Sequence, residues 1–249
     1  MKIPVIINGA NGKMGQIATE AIRGHNDFEL VAKLSRNDDL RNAINIFKAK
    51  IVIDLTCADS VYENTLTIIN ENAHPIIGTS GLIDEQIKHL QDISTQKNLG
   101  GIIVPNFSIG AVLMMEFSAL AAKYLRDVEI IESHHPQKLD SPSGTALKTA
   151  ELIAKSRTKQ PIDLPIKETV KNARGAKFLD INIHSIMFPG YLASQQVIFG
   201  NTGETLSLCH NTIDRSAFMP GLILACTKVT NLTTLHYGLE QLIFNGART

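Results

Sequence analysis

The sequence predicts an α/β protein of two parts, a doubly wound parallel domain and an α+β domain with a mixed or antiparallel sheet. Three observations predict it. Short apolar runs alternate with helical periodicity from Ile3 to Val104. Gly9, Gly12 and Gly15 fall between the first apolar run and the first helical segment. After Ser156 the helical pattern gives way to successive strand-like stretches with short turns. The boundaries expected are residues 1–105 with 216–249 for the first domain and 106–215 for the second.

Composition sets outer limits. The chain has 249 residues, 44% hydrophobic and 19% charged, and Lys+Arg equals Asp+Glu at 24 each. A net charge of zero gives no basic excess for holding a polyanion, so no nucleic acid is expected. No apolar run approaches the roughly 20 residues that span a bilayer, so no membrane is expected. Met1-Lys2-Ile3 leads straight into a strand and leaves no room for a signal peptide. Cys57, Cys209 and Cys226 are isolated and odd in number, which suits free thiols in a reducing cytoplasm.

Ile3–Ile7 is a continuous apolar run, as a buried parallel strand requires, and Ile17, Ala18, Ala21 and Ile22 mark the helix after it. The loop between, Asn8 to Gly15, carries Gly9, Asn11, Gly12, Lys13, Met14 and Gly15 as candidate cofactor contacts. Glycines there allow a tight turn and close approach of a pyrophosphate to the helix N-terminus, the Rossmann-type arrangement. Their Gly-x-x-Gly-x-x-Gly spacing is not the strict fingerprint, and an ordinary strand–helix turn is the alternative.

Phe28–Leu34 reads as the second strand, and Ser35-Arg36 stands at its end, about 20 residues past the third glycine, where an NAD site usually has an acid. Arg36 there can pair with a 2′-phosphate or be simply solvated; Asp38 and Asp39 could still serve a ribose. Ile51–Asp54 and Pro75–Ile77 are further strands, with a helix from Asp59 to Glu71 between them. Thr56 and the run Gly78-Thr79-Ser80 leave strand carboxyl ends, where open parallel sheets bind ligands. Asp84–Gln96 reads as helix, Gly101–Val104 as the fifth strand, and an apolar helix starts at Ile109.

The chemistry concentrates after Val128. Val128 and Ile130 alternate with polar residues, Glu129 and Glu132 among them, in a strand ending at His134. Pro136 and Asp140-Ser141-Pro142 make His135 to Pro142 a loop, and Ser143 is the natural N-cap of a helix through Ala146, Leu147, Ala150 and Ile153. Lys138, the helix N-terminus (Ser143, Gly144, Thr145) and two imidazoles form a kit for binding an anion and giving it a proton. A metal pair or a plain surface loop are the alternatives for His134 and His135. Neighbours on a strand point to opposite faces and no third ligand follows at suitable spacing, so no metal is expected.

The segment Glu132-Ser-His-His-Pro-Gln-Lys-Leu-Asp-Ser-Pro-Ser-Gly-Thr-Ala146 resembles, at every fixed position, the signature of the 4-hydroxy-tetrahydrodipicolinate reductase (dihydrodipicolinate reductase) family. The resemblance extends over almost the whole chain. It implies NAD(P)H-dependent reduction of a small dicarboxylate in diaminopimelate and lysine biosynthesis, by a cytoplasmic homotetramer. It implies His134 as proton donor, His135 as a substrate contact and Lys138 beside the reacting ring; His134 and Lys138 both remain open as the final donor. It places Asn106 and Phe107 beside the cofactor, and Arg36 without an acid at Ser35 favours NADP over NAD. Cys57-Ala58 departs from the family pattern, which commonly has a Pro two residues after the threonine, sometimes preceded by an arginine, and Met187 stands where the family generally has an arginine. Another dehydrogenase of the same plan, or a non-catalytic NADP(H) sensor, are the competing functions.

Arg157 to Lys177 reads as a polar loop with Pro161 and Pro165, followed by strands at Phe178–Ile186, Gln195–Phe199 and Thr205–Cys209. A last helix opens near Phe218, and the chain from about residue 215 is expected to return to the first domain.

Overall fold

Val5, Ile6 and Ile7 have no exposed surface, as a strand covered on both faces requires. They lie in β1 (Ile3–Asn8). In the computed structural model, which describes residues 2–158 and 167–244, β1 is followed by α1 (Lys13–Arg23), β2 (Phe28–Leu34), α2 (Leu40–Phe47) and β3 (Ile51–Asp54). Next come α3 (Ala58–Asn70), β4 (His74–Ile77), α4 (Asp84–Gln96) and β5 (Gly101–Ile103). The strands pair in parallel in the order β2-β1-β3-β4-β5. The chain steps from β1 to β2 on one side and then to β3 on the other, so the order reverses beside β1. Such a reversal opens a crevice at the carboxyl ends of the strands.

One face of this sheet is covered through Ile6, Val52, Val61, Ile69, Ile77 and Leu90, all without exposed surface. Burying each such side chain is worth about 1.5–3 kcal/mol. The helix α2 was not legible in the sequence because it is eight residues long, but its start is well defined: the Asp39 side chain accepts a hydrogen bond from Asn42 N–H at 3.0 Å.

The chain divides into two compact units, one drawn from residues up to Ile109 and from Arg215 onward, the other Gly110–Asp214. The second holds most of α5 (Ile109–Ala121), then β6 (Asp127–His134), α6 (Gly144–Ser156), β7 (Ala176–Phe178), β8 (Ile181–Met187), β9 (Ala193–Asn201) and β10 (Glu204–Thr212). Its sheet runs β10-β9-β6-β8-β7, with β6 and β8 parallel and the other pairs antiparallel, so it is mixed. Beyond it α7 (Met219–Val229), β11 (Leu235–Tyr237) and α8 (Glu240–Phe244) belong to the first unit, where β11 pairs in parallel with β5 as a sixth strand.

Three findings correct the sequence reading. Phe178–Ile186 is not one strand: β7 and β8 form a hairpin broken at Leu179 and Asp180, both at positive φ (49° and 59°). A two-residue turn of that shape favours Asn-Gly, so Leu-Asp hid it. The three-residue β11 was too short to show a period. Along β6 the buried residues are Val128, Ile130, Glu132 and Ser133, which puts Glu132 on the core side with Val128 and Ile130, not opposite them. Of the polar stretch expected from Arg157 to Lys177, residues 159–166, with Pro161 and Pro165, lie outside the described residues. Among the described residues no helix is long and apolar enough to cross a membrane.

Candidate active site

At the carboxyl end of β1 the backbone turns through Gly9 at φ +86°, a conformation that L side chains rarely adopt. A Cβ on Gly9 would run into the Leu55 carbonyl, and one on Gly15 into the Gly9 carbonyl. Gly12 is different. It is the N-cap of α1, provides no side-chain cap, and a Cβ there would approach only Gly9 O, at 3.4 Å. The first-turn amides of α1 have no intrahelical acceptor, which is how a helix start receives a phosphate.

Beside this turn lies a cleft of about 340 Å³, lined by Gly9, Asn11, Gly12, Arg36 and Thr56 among the predicted cofactor residues. Ser35 and Asp38 also line it. Asp38 Oδ2 accepts from Ser35 N–H at 2.7 Å and from Ser35 Oγ–H at 2.8 Å, and these bonds hold its carboxyl below the ordinary range. Asp39 caps α2 and so has a structural task. Lys13, Met14, Gly15, Gly78, Thr79, Ser80, Asn106 and Phe107 are not part of the cleft lining. Lys13 and Met14 begin α1. The Phe107 ring is 6% exposed and packs beneath Gly78, so its side chain serves as wall. Asn106 Oδ1 accepts from Ser108 N–H at 2.8 Å and shapes the turn after β5.

Thr56 and Thr79 are joined through a residue that the sequence reading passed over. Asp54 has no exposed surface, and its carboxylate accepts from Thr56 Oγ1–H (2.7 Å), Thr79 Oγ1–H (2.5 Å), Asn8 Nδ2–H (3.0 Å) and Asn64 Nδ2–H (2.9 Å). One carboxylate thus fixes the ends of β1, β3 and β4 and the helix α3. The signal was available: an acid ending an otherwise apolar strand needs buried partners.

In the second unit, β6 delivers His134 to the edge of a loop that returns as α6. The loop contains a cis Ser141–Pro142 bond. The Ser143 hydroxyl accepts from Ala146 N–H at 3.1 Å, the predicted N-cap. The sequence reading offers its backbone N–H to a ligand, but that group donates to Glu132 Oε1 at 2.9 Å inside the fold. The Ser143 O–H proton and the amide of Gly144 remain as helix-start donors by position. Gly144 lies in the open: a Cβ there would meet nothing within 4 Å.

Lys138 is 17% exposed and its Nζ donates to Asp140 at 2.6 Å, which holds the Asp140 carboxyl below its ordinary range. Because Asp140 is 67% exposed, this pair is one an incoming carboxylate can replace. Burial lowers the pKa of His134; Lys138 and His135 lower it further, and Glu132 and Asp140 pull it back up. Glu132 Oε2 lies 3.7 Å from His134 Nδ1. No three His, Cys, Asp or Glu side chains converge as metal ligands among the described residues.

Comparison with known proteins matches both halves of the chain to one family. Residues 3–107 match the family profile described as Dihydrodipicolinate reductase, N-terminus, and residues 110–243 match Dihydrodipicolinate reductase, C-terminus. The chain belongs to the dihydrodipicolinate reductase family. It is 60% identical over 243 residues to the 4-hydroxy-tetrahydrodipicolinate reductase of Legionella pneumophila strain Lens, covering 98% of this chain and 100% of that one. Over the same shares it is 50% identical to the corresponding reductase of Coxiella burnetii strain Dugway 5J108-111. The solved structure of a dipicolinate-bound dihydrodipicolinate reductase from Paenisporosarcina sp. TG-14 superposes with a TM-score of 0.91 at 41% identity, covering 97% of this chain and 99% of that one.

The family makes this chain an oxidoreductase of the 4-hydroxy-tetrahydrodipicolinate type with a nicotinamide cofactor. The first unit fits that group: a backbone-only helix start at Gly12, no side-chain cap to compete, and an adjoining cleft of about 340 Å³.

Proposed function

We propose that this dihydrodipicolinate reductase uses NADPH in preference to NADH, and that the β6–α6 loop is where it binds and protonates its ring substrate. The reaction removes water from 4-hydroxy-tetrahydrodipicolinate and adds a hydride and a proton, giving tetrahydrodipicolinate on the route to diaminopimelate and lysine. The nicotinamide, when bound, supplies the hydride.

The chain's own residues do the rest. The turn Gly9–Gly15 holds the pyrophosphate on the α1 start, and Arg36 pairs with the 2′-phosphate. Lys138 leaves Asp140 for one substrate carboxylate, and the Gly144 amide and the Ser143 hydroxyl cradle it from the helix start. His134 gives its proton to the ring and His135 lines the site. A partly buried imidazole of lowered pKa gives up its proton readily, as a donor needs.

The observation that carries these roles is the open helix start at Gly144, in one short loop with Lys138 and His134. The ligand in the Paenisporosarcina structure, dipicolinate, is a planar ring with two carboxylates and has the shape and charge this cradle would take. We also place the enzyme in the cytoplasm as a homotetramer. Three free cysteines and a partly exposed sheet face carrying Ile131, Ile186 and Ile198 support that reading.

The test is NADPH oxidation followed by absorbance, with the hydroxylated ring generated in place by the preceding synthase. Turnover that depends on that ring and is faster with NADPH supports the reading. A protein that binds NADPH but shows no turnover would be a sensor instead.

A further inference from the structure

Glu132 and Asp54 are the two carboxylates without exposed surface among the described residues. Asp54 has donors for both oxygens, whereas Glu132 has donors for one. Its Oε1 accepts from Ser143 N–H at 2.9 Å and from Ser185 Oγ–H at 2.6 Å. Its Oε2 is buried with no hydrogen-bond partner among the described residues, and so is His134 Nδ1, 3.7 Å away.

A buried polar atom without a partner is costly, and two such atoms facing each other are natural partners. Their separation exceeds a hydrogen bond, but contacts of catalytic groups are commonly long in the free enzyme and tighten with ligand. The same carboxylate also holds the backbone of Ser143. A shift of the anion cradle at the α6 start is therefore transmitted through one side chain to the imidazole.

We infer that Glu132 is a positioning residue for His134: its Oε2 accepts a hydrogen bond from Nδ1–H, so that Nε2 is the nitrogen that presents a proton to the ring. The inference rests on His134 as proton donor. In the cycle the Nε2–H bond breaks as the new bond to the ring forms. The imidazole is left neutral with Nδ1–H still on Glu132, and solvent returns a proton to Nε2. Four titratable groups face the imidazole. Glu132 and Asp140 favour its charged form, while Lys138 and His135 oppose it. Burial is the largest influence and holds His134 below 6.5; Glu132 is the largest influence in the other direction.

Glu132→Gln tests this with little change of shape, because the amide oxygen can keep both Ser143 and Ser185 while the amide N–H group turns toward Nδ1. The basic limb of the kcat/KM profile should move down by about one pH unit or more, since an opposite charge at this range shifts a pKa by about one to three units. Glu132→Asp, which keeps the charge, should restore the limb toward its original place. Nitrogen NMR on the unsubstituted enzyme gives a readout that needs no variant to fold. Neutral His134 should carry its proton on Nδ1, against the usual preference of imidazole for Nε2.

An unmoved limb in Glu132→Gln, or a neutral Nε2–H tautomer in the wild type, overturns the inference. His134→Gln separates the two possible failures. If it keeps wild-type turnover, the donor reading falls and the positioning role falls with it. If it loses turnover while Glu132→Gln leaves the limb unmoved, the positioning role falls alone.

Discussion

Thr79 Oγ1 donates to Asp54 Oδ1 at 2.5 Å and also accepts from Thr56 N–H at 2.8 Å, so the loops after β3 and β4 meet at one hydroxyl. Removing the acceptor strands donors from three strand ends and from α3. Asp54→Ala should lower the stability of the first unit by about 3 kcal/mol or more, the cost of leaving several buried donors unpaired. Thr79→Val should cost less, about 1 kcal/mol, yet weaken cofactor binding by loosening Thr56. Urea unfolding with and without NADPH measures both, and wild-type stability in Asp54→Ala would contradict the network's role.

Cofactor choice is tested at Arg36, which lines the cleft beside Ser35 and Asp38. Arg36→Ala should weaken NADPH roughly tenfold, the low end for a charge-assisted contact because the side chain is exposed. NADH should change little. Equal losses for the two cofactors, by fluorescence titration, would remove the 2′-phosphate role.

Much of this was legible in the sequence because single local rules decided it. The α6 start followed from Ser143, which is its N-cap, with the helix running from Gly144; the bounds of α4, Asp84–Gln96, agree with its periodicity. The doubly wound sheet followed from apolar runs set between helices. What escaped depends on contacts across the chain. Asp54 looked like the end of a strand until Asn8, Asn64 and Thr79, up to 46 residues away, closed around it. Glu132 could have been placed by counting in twos from Val128, yet its tie to Ser185 is visible only in the folded sheet. The β7–β8 turn is held at Leu179 and Asp180 by pairing on either side, against local preference.

Gly144 separates binding from folding. A Cβ there meets nothing within 4 Å, and its backbone is not left-handed, so Gly144→Ala should fold with stability unchanged or raised by up to about 1 kcal/mol. The KM for the ring substrate should nevertheless rise several-fold, because the added methyl crowds the approach to the helix-start amides. A stable variant with unaltered KM would show that no ligand comes close to this amide.

Acid stability should report on Glu129. Burial pushes its carboxyl up, but hydrogen bonds from His184 Nε2 (2.8 Å) and Asn182 Nδ2 (3.3 Å) and the charge of Arg174 outweigh that, and the pKa lies below its ordinary 4.5. A depressed carboxyl stabilises the fold fully above the unfolded pKa, and this contribution disappears as pH falls through the folded value. The stability difference between wild type and Glu129→Gln should therefore shrink as pH falls from about 5 through 4.5 and below. Thermal melts across that range check it; a difference that grows on acidification would have the wrong sign.

The central claim, that the loop from His134 to Thr145 is the substrate site, is tested most directly by inhibition with dipicolinate at fixed NADPH. It should compete with the ring substrate and raise the melting temperature. Pyridine monocarboxylates should bind roughly five- to a hundredfold more weakly, as loss of one carboxylate from a lysine and a helix start implies. Lys138→Ala should weaken dipicolinate by a similar factor while leaving NADPH affinity unchanged. Dipicolinate that neither inhibits nor stabilises the NADPH-loaded enzyme, or that does both equally well in Lys138→Ala, would contradict the account.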